Sequence, residues 1–313
     1  MFYKYKEITQ KTNNEFQALK IFLFYIAHFP IIVADMTSEK LPTEIYIIAG
    51  RGAYPRLLAE SARKQGVTRI VAIAFKKETD PRIEKIVDEM HWINLGQLGR
   101  MLDTMATTGI KHAVMAGQIT PTHLFRIRMD VKMIALLKKL PERNADTIFG
   151  AIGDELKAID IELLPASSFM QAHMPTAGLL SKRAPTETEM NDIRMGFHVA
   201  KATSGLDIGQ TVVIKEGTIL AVEAFEGTDA TILRAGKLGG AGAVLIKVAK
   251  PGHDMRFDIP VIGLHTIKSL RKAKIGAVAI ESGKAILLER EKIIARMDAL
   301  NIAFTVMDST NKE

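Results

Sequence analysis

From Leu41 onward, short apolar runs alternate with segments whose apolar residues recur every three or four positions, the pattern of strands followed by helices. Ile45 to Ala49 (IYIIA), Arg69 to Ala74 (RIVAIA), His91 to Asn94 and Lys111 to Ala116 (KHAVMA) read as strands. Between them the pattern predicts a helix over Pro55 to Gln65, opened by its proline and closed by Gly66. Further helices are predicted over Pro81 to Glu89 and over Leu95 to Thr108, where Leu98, Met101, Leu102 and Met105 share a face. Such alternation builds a parallel sheet covered on both faces, so residues 41–125 are expected to form a Rossmann-like domain.

Two helical segments follow. Met129 to Leu140 carries Met129, Met133, Leu136, Leu137 and Leu140 on one stripe, and Thr147 to Leu163 reads as a second helix, which makes residues 126–165 a helical connector. Beyond Pro185, Thr186 and Glu189 have the spacing of a capping box ahead of a helix running to about Thr203. Gln210 to Lys215 (QTVVIK) and Thr218 to Ala224 (TILAVEA) flank a Glu216-Gly217 turn as a hairpin. Strands at Ala243 to Val248, Ala277 to Ile280, Ala285 to Leu288 and Ala303 to Met307 alternate with helices near His265 to Lys274 and Arg290 to Leu300. Residues 166–313 are therefore expected to be a C-terminal α/β domain with a mixed sheet. The fold class is α/β, a Rossmann-like parallel sheet followed by a second α/β domain.

Residues 1–40 stand apart as an N-terminal extension. Eight of the 19 aromatic residues fall between Phe2 and Phe29, and no glycine precedes Gly50. The apolar run from Ile21 to Ala34 is interrupted by His28 and Pro30 and is short of the ~20 residues a spanning helix needs. A signal-peptide reading is weakened by Glu7, Glu15 and a poor cleavage site at Ala34. Met36, followed by the polar stretch TSEKLPTE, serves equally well as a translation start, and that is the favoured reading.

Composition narrows the chemistry. With 47% hydrophobic and 25% charged residues the chain is an ordinary globular protein. The absence of cysteine excludes disulfides, thiolate metal sites and cysteine nucleophiles, so any metal must sit on oxygen or imidazole. A net charge of +7 and a pI near 9.4 favour anionic partners.

Three places carry candidate chemistry. In AGRGAYP, Gly50 and Gly52 let the backbone approach a ligand ahead of a helix N-terminus, which suits a phosphate and equally suits a plain tight turn. A dinucleotide fingerprint would need a third glycine where Pro55 stands and an acid where Ala74 and Phe75 stand, which counts against a nicotinamide oxidoreductase. In EAFEGTD, Glu223, Glu226 and Asp229 gather three carboxylates at a strand end beside Thr228, either a magnesium site or a helix cap with solvated glutamates. In KPGHDMRFDIP, Asp254, Arg256 and Asp258 fall on one face of an extended segment, either an ion-pair ladder or a phosphate clamp, with Lys250 and His253 nearby. KLGGAG and SGK, at Lys237 to Gly242 and Ser282 to Lys284, are weaker phosphate candidates.

Taken in order, IIAGRGAYP, LDIGQTVVIKEGTILAVEAFEGTDATILRAG, VLIKVAKPGHDMRFDIPVIGLHTI and IGAVAIESGKAILL closely resemble the LpxI-type UDP-2,3-diacylglucosamine pyrophosphatases of bacterial lipid A biosynthesis. The likeness runs from Leu41 to about Asp308. The family has a glutamine where this chain has His253, and an Asp-Asp pair opening the connector helix where it has Asp154-Glu155. The resemblance implies magnesium-dependent hydrolysis of a lipidated UDP-sugar to UMP and a diacylglucosamine 1-phosphate, with substrate between the two domains. It implies that Asp229 is the critical carboxylate, a metal ligand or water-orienting group, with Glu223 and Glu226 as helpers. Arg256 and Asp254 join it at the reacting phosphates, Lys250, Asp258 and Thr228 contact substrate, and Gly50, Gly52 and Tyr54 take the nucleotide end. A rival reading keeps the clefts in a non-catalytic nucleotide-sugar or lipid binder. The expected location is cytoplasmic. Between Arg126 and Arg143, six Lys or Arg against Asp130 and Glu142, beside an apolar stripe, suit transient contact with the anionic face of the inner membrane and equally suit an ordinary solvated connector helix. A homodimer is compatible with this reading, and nucleic acid is not an expected partner.

Overall fold

The computed structural model describes residues 41–119, 128–142, 144–252, 254–257 and 259–308. The extension expected over residues 1–40 lies outside them. Five parallel strands, β1 (Glu44–Ala49), β2 (Arg69–Phe75), β3 (Glu89–Ile93), β4 (His112–Ala116) and β5 (Glu162–Leu164), form a sheet in the order β3-β2-β1-β4-β5. The pleat sends Ile45, Ile47 and Ala49 to one face and Tyr46 and Ile48 to the other, and both sets are buried. Helix α1 (Tyr54–Lys64) covers the first face with Leu58, Ala59 and Ala62. Helix α2 (Leu98–Ala106) covers the second with Met101, Leu102 and Met105. The two helices expected as a connector, α3 (Val131–Lys139) and α4 (Ala145–Lys157), join that second face through Met133, Leu136, Ile152 and Leu156.

The second sheet has six strands: β6 (Gly178–Leu179), β7 (Thr211–Lys215), β8 (Thr218–Val222), β9 (Val244–Lys247), β11 (Ala277–Glu281) and β13 (Ala303–Met307), in the order β6-β13-β11-β9-β7-β8. β9, β11 and β13 are parallel, while β6, β7 and β8 run antiparallel to their neighbours, which makes the sheet mixed. Helix α5 (Glu187–Gly205) packs Ile193 and Ala200 on one face. Its capping box forms as the spacing predicts, with the Thr186 amide donating to Glu189 Oε2 at 2.8 Å and the Glu189 amide to Thr186 Oγ1 at 3.2 Å. Helices α6 (Thr228–Gly239), α7 (Leu264–Ala273) and α8 (Arg290–Ala299) cover the other face with Ile232, Ile267, Leu270, Ile293 and Met297. A small ladder of β10 (Val261–Ile262) and β12 (Ile286–Leu287) lies outside both sheets, and Ile259, Ile286 and Leu288 share a core with Ile45, Ile47 and Leu58.

Three expected elements differ. Pro81 to Glu89 is not a helix but a single 3-10 turn (Pro81–Lys85) capped by Asp80, because Glu89 and Met90 pair with Val71 and Ala72 as the start of β3. The helix expected to reach Leu163 stops at Lys157; Asp160 turns the chain at φ +59°, and Glu162–Leu164 pairs beside β4. Ala285 to Leu288 contributes a strand, but to the two-stranded ladder rather than the large sheet.

Candidate active site

β8 ends at Val222 and α6 begins at Thr228, so EAFEGTD is the turn that joins them. Gly227 takes φ +81°, which a side chain would resist, and puts Thr228 and Asp229 in the first turn of α6. A carboxylate there is favoured by the helix dipole. Asp229 Oδ2 lies 2.8 Å from His265 Nδ1, which comes from the first turn of α7. Its other oxygen, Oδ1, is buried and makes no hydrogen bond.

Behind this pair is a polar cluster in an otherwise apolar layer. Lys247, at the end of β9, donates to Thr228 Oγ1 at 2.8 Å and to Thr211 Oγ1 at 3.2 Å. Thr228 donates onward to Glu223 Oε1 at 2.8 Å. Glu223 Oε2 is buried without a hydrogen bond and lies 3.7 Å from the Lys247 ammonium. Glu226 is engaged elsewhere: it accepts from Arg234 at 2.6 Å and from the Ala224 amide at 3.2 Å, and the Arg234 hydrogen bond holds its carboxyl below the usual range. The three carboxylates of the turn therefore have separate partners. Among the described residues, no three or more His, Asp or Glu side chains are gathered into a metal-holding group.

The loop after β9 is anchored by a buried carboxylate. Glu281, at the end of β11 and fully buried, accepts from Lys201 at 2.7 and 2.6 Å and from the Ala249 amide at 3.0 Å. Lys201 also donates to the Ala249 carbonyl at 2.8 Å, and Lys284 of the SGK stretch lies 3.1 Å from Glu281. Burial alone would raise the Glu281 carboxyl, but these hydrogen bonds outweigh it and hold it below the usual range. The residue after Ala249, Lys250, reaches Asp207 at 3.0 Å.

The segment around Asp254 is a turn rather than the extended run expected from its alternation. Arg256 Nε donates to both Asp254 oxygens at 2.9 Å, and its guanidinium lies beside Gly153 of α4. Asp254 holds the arginine firmly protonated, with a further contribution from the charge of Asp154. His253 and Asp258 lie outside the described residues. The Asp154-Glu155 pair sits near the end of α4 rather than at its opening.

At the first sheet, strand order reverses between β1 and β4, the place where open α/β sheets form a ligand crevice. The Gly50 loop stands there. The Gly50 amide donates to the Ala116 carbonyl at 2.8 Å and the Arg51 amide to Gln118 at 2.6 Å, so a Cβ on Gly50 would meet the Gln118 carbonyl oxygen at 2.7 Å. Gly52 turns the chain at φ +96°. Tyr54 points into the core, where it is 4% exposed, donates to the Ala166 carbonyl and has its hydroxyl pKa pushed up by burial. Sequence reasoning missed Lys247, Thr211, His265, Lys201 and Glu281. Lys247 and Glu281 each close an apolar strand with a charge (VLIK, AVAIE), a signal that was there to read. His265 left none.

The site thus stands at adjoining strand and helix ends of a mixed α/β fold, the class of protein the structure defines. The comparisons give this class a family. The profile of the LpxI N-terminal domain matches residues 44–173 and that of the LpxI C-terminal domain residues 176–305, and the chain belongs to the LpxI family. It is 28% identical over 267 residues to the UDP-2,3-diacylglucosamine pyrophosphatase LpxI of Caulobacter vibrioides, covering 82% of this chain and 94% of that protein. Among solved structures it is matched to CobK precorrin-6A reductase, at 12% identity and a TM-score of 0.30 over 85% of this chain and 88% of that one. The biotin carboxylase domain of the Hydrogenobacter thermophilus 2-oxoglutarate carboxylase matches at 16% identity and a TM-score of 0.22 over 62% of this chain and 40% of that one. At those scores neither structure informs the fold or the chemistry.

Proposed function

We propose that the protein hydrolyses the pyrophosphate bond of UDP-2,3-diacylglucosamine, giving UMP and 2,3-diacylglucosamine 1-phosphate. The observation that carries the reading is Asp229, which keeps a buried, unbonded oxygen at the head of α6 in a chain that matches both domains of the family. An unsatisfied buried acceptor is costly unless a ligand supplies its partner. Asp229 orients the attacking water by accepting its proton in a hydrogen bond. Arg256, held by Asp254, offers a pre-oriented guanidinium to a phosphate, the bidentate geometry that phosphate oxygens favour. Lys250 adds positive charge from the same loop.

The donor set suits magnesium. Asp229 Oδ1 has no hydrogen-bond partner within the protein, and a magnesium site needs only one or two carboxylates when substrate phosphates and waters complete it. Asp229 would hold the ion, because Glu226 is paired with Arg234 and Glu223 faces Lys247. When bound, the metal supplies charge neutralisation for the pyrophosphate and a more acidic water.

The reading places the protein in the cytoplasm, in transient contact with the inner membrane. Among the described residues no helix is long and apolar enough to cross a bilayer. On α3, however, Val131 and Ile134 are 84% and 43% exposed beside Lys138 and Lys139, a surface suited to anionic headgroups and acyl chains. The test is to incubate purified protein with UDP-2,3-diacylglucosamine in detergent micelles, with magnesium or with a chelator. UMP should appear only with magnesium, and no UMP in either arm would reject the reading.

A further inference from the structure

Lys247 is out of place by the rules that built its strand. β9 is an interior strand between β11 and β7, and Val244, Leu245 and Ile246 are fully buried. Lys247 ends that run only 8% exposed. Its pairing in the sheet is made by backbone groups and needs no charge. An ammonium so placed is expensive unless its protons and charge are met.

The way they are met has a direction. An ammonium only donates, so the Thr228 hydroxyl must accept from Lys247, and its single proton must go to Glu223 Oε1. Thr228 is thereby locked in one rotamer between a fixed donor and a fixed acceptor. The residue before it, Gly227, provides no side-chain cap for α6. The chain Lys247 to Thr228 to Glu223 instead ties the first turn of α6, which presents Asp229, to the end of β9 and to the turn after β8. With two protons on Thr211 and Thr228 and its charge facing Glu223, the ammonium acts through its neighbours.

We infer that Lys247 is a positioning residue for the proposed hydrolysis: it holds Thr228, and through Thr228 the backbone that aims Asp229. The inference rests on the hydrolase reading. Lys247→Met should lower kcat by about 10- to 100-fold, the usual cost of losing a supporting contact behind a site, with KM within about twofold of wild type. It also strands the Glu223 charge, so its melting temperature should fall.

Pairing it with Glu223→Gln removes that stranded charge. The double variant should recover melting temperature while kcat stays low, a split that a merely structural lysine would not produce. Thr228→Val, which deletes the hydroxyl and keeps the shape, should lower kcat at unchanged KM even if Lys247→Met fails to fold. Recovery of kcat together with melting temperature in the double variant would overturn the inference, as would wild-type kcat in Thr228→Val. A raised KM at unchanged kcat in Lys247→Met would overturn it too, by making the lysine a direct substrate contact. Wild-type protein that releases no UMP would remove the hydrolase reading and this inference with it, whereas an active wild type with unaffected variants would remove the inference alone.

Discussion

His265 and Asp229 meet across two helix starts: Nδ1 of the imidazole lies 2.8 Å from Oδ2 of the carboxylate, leaving Oδ1 buried and unbonded. The histidine is 78% exposed and the aspartate 38%, so the pair contributes under about 1 kcal/mol to stability. Its effect is on the direction of the carboxylate. His265→Ala should leave the thermal melt within error and lower kcat on the order of tenfold, since small misplacements of a reacting group are amplified in rate. Unaltered turnover would show that Asp229 keeps its rotamer without the imidazole.

Arg256 is forked onto Asp254, which suits either a phosphate clamp or a local ion pair. Arg256→Lys separates the two. Loss of the planar fork should raise KM or lower kcat by about tenfold, because a lysine presents a point charge where two parallel hydrogen bonds are needed. Unchanged kinetics with a lowered melting temperature would assign the arginine to structure alone.

Glu281 predicts an acid limb of stability. Its carboxyl is held below the ordinary glutamate value of 4.5 by Lys201, the Ala249 amide and Lys284, against the cost of burial. Stability from this group is therefore complete above the unfolded value and is lost as pH falls through the lower folded value. Urea unfolding followed from about pH 7 to about pH 3 should show the loss in wild type and a shallower one in Glu281→Gln. At neutral pH the substitution should cost about 3 kcal/mol, since it strands Lys201 beside a buried site. Equal acid slopes in the two proteins would contradict the assignment.

Much of this was readable from the chain alone, and the exceptions have physical reasons. The α5 start was legible because a capping box is a local device, complete within Thr186 and Glu189. Pro81 to Glu89 misled because its local pattern is helical while Glu89 and Met90 are taken by pairing with Val71 and Ala72, a contact the local pattern does not contain. β5 has three residues and takes its identity from β4. Asp229 stood out by motif, but its partner His265 is 36 residues away on another helix. Tyr54, which the resemblance assigns to the nucleotide end, has its hydroxyl committed to the Ala166 carbonyl 112 residues on, a contact the local pattern does not contain.

Val131 and Ile134 test the membrane reading. Replacing both with aspartate should leave folding intact, because neither is buried, and should reduce sedimentation with vesicles of anionic lipid. Turnover of substrate carried in those vesicles should fall more than turnover of substrate in neutral detergent micelles. Unchanged vesicle binding would remove α3 from the account.

The central claim is that Asp229 carries the hydrolysis. The direct measurement is the release of UMP by wild type and Asp229→Ala, assayed side by side with magnesium and matched by thermal melts. Wild type should release UMP and the lipid monophosphate one for one. Asp229→Ala should melt at nearly the same temperature and still bind substrate, while its turnover falls on the order of 100- to 1,000-fold, the scale of about 3–4 kcal/mol of lost transition-state stabilisation. A folded Asp229→Ala protein that turns over at the wild-type rate would contradict the account.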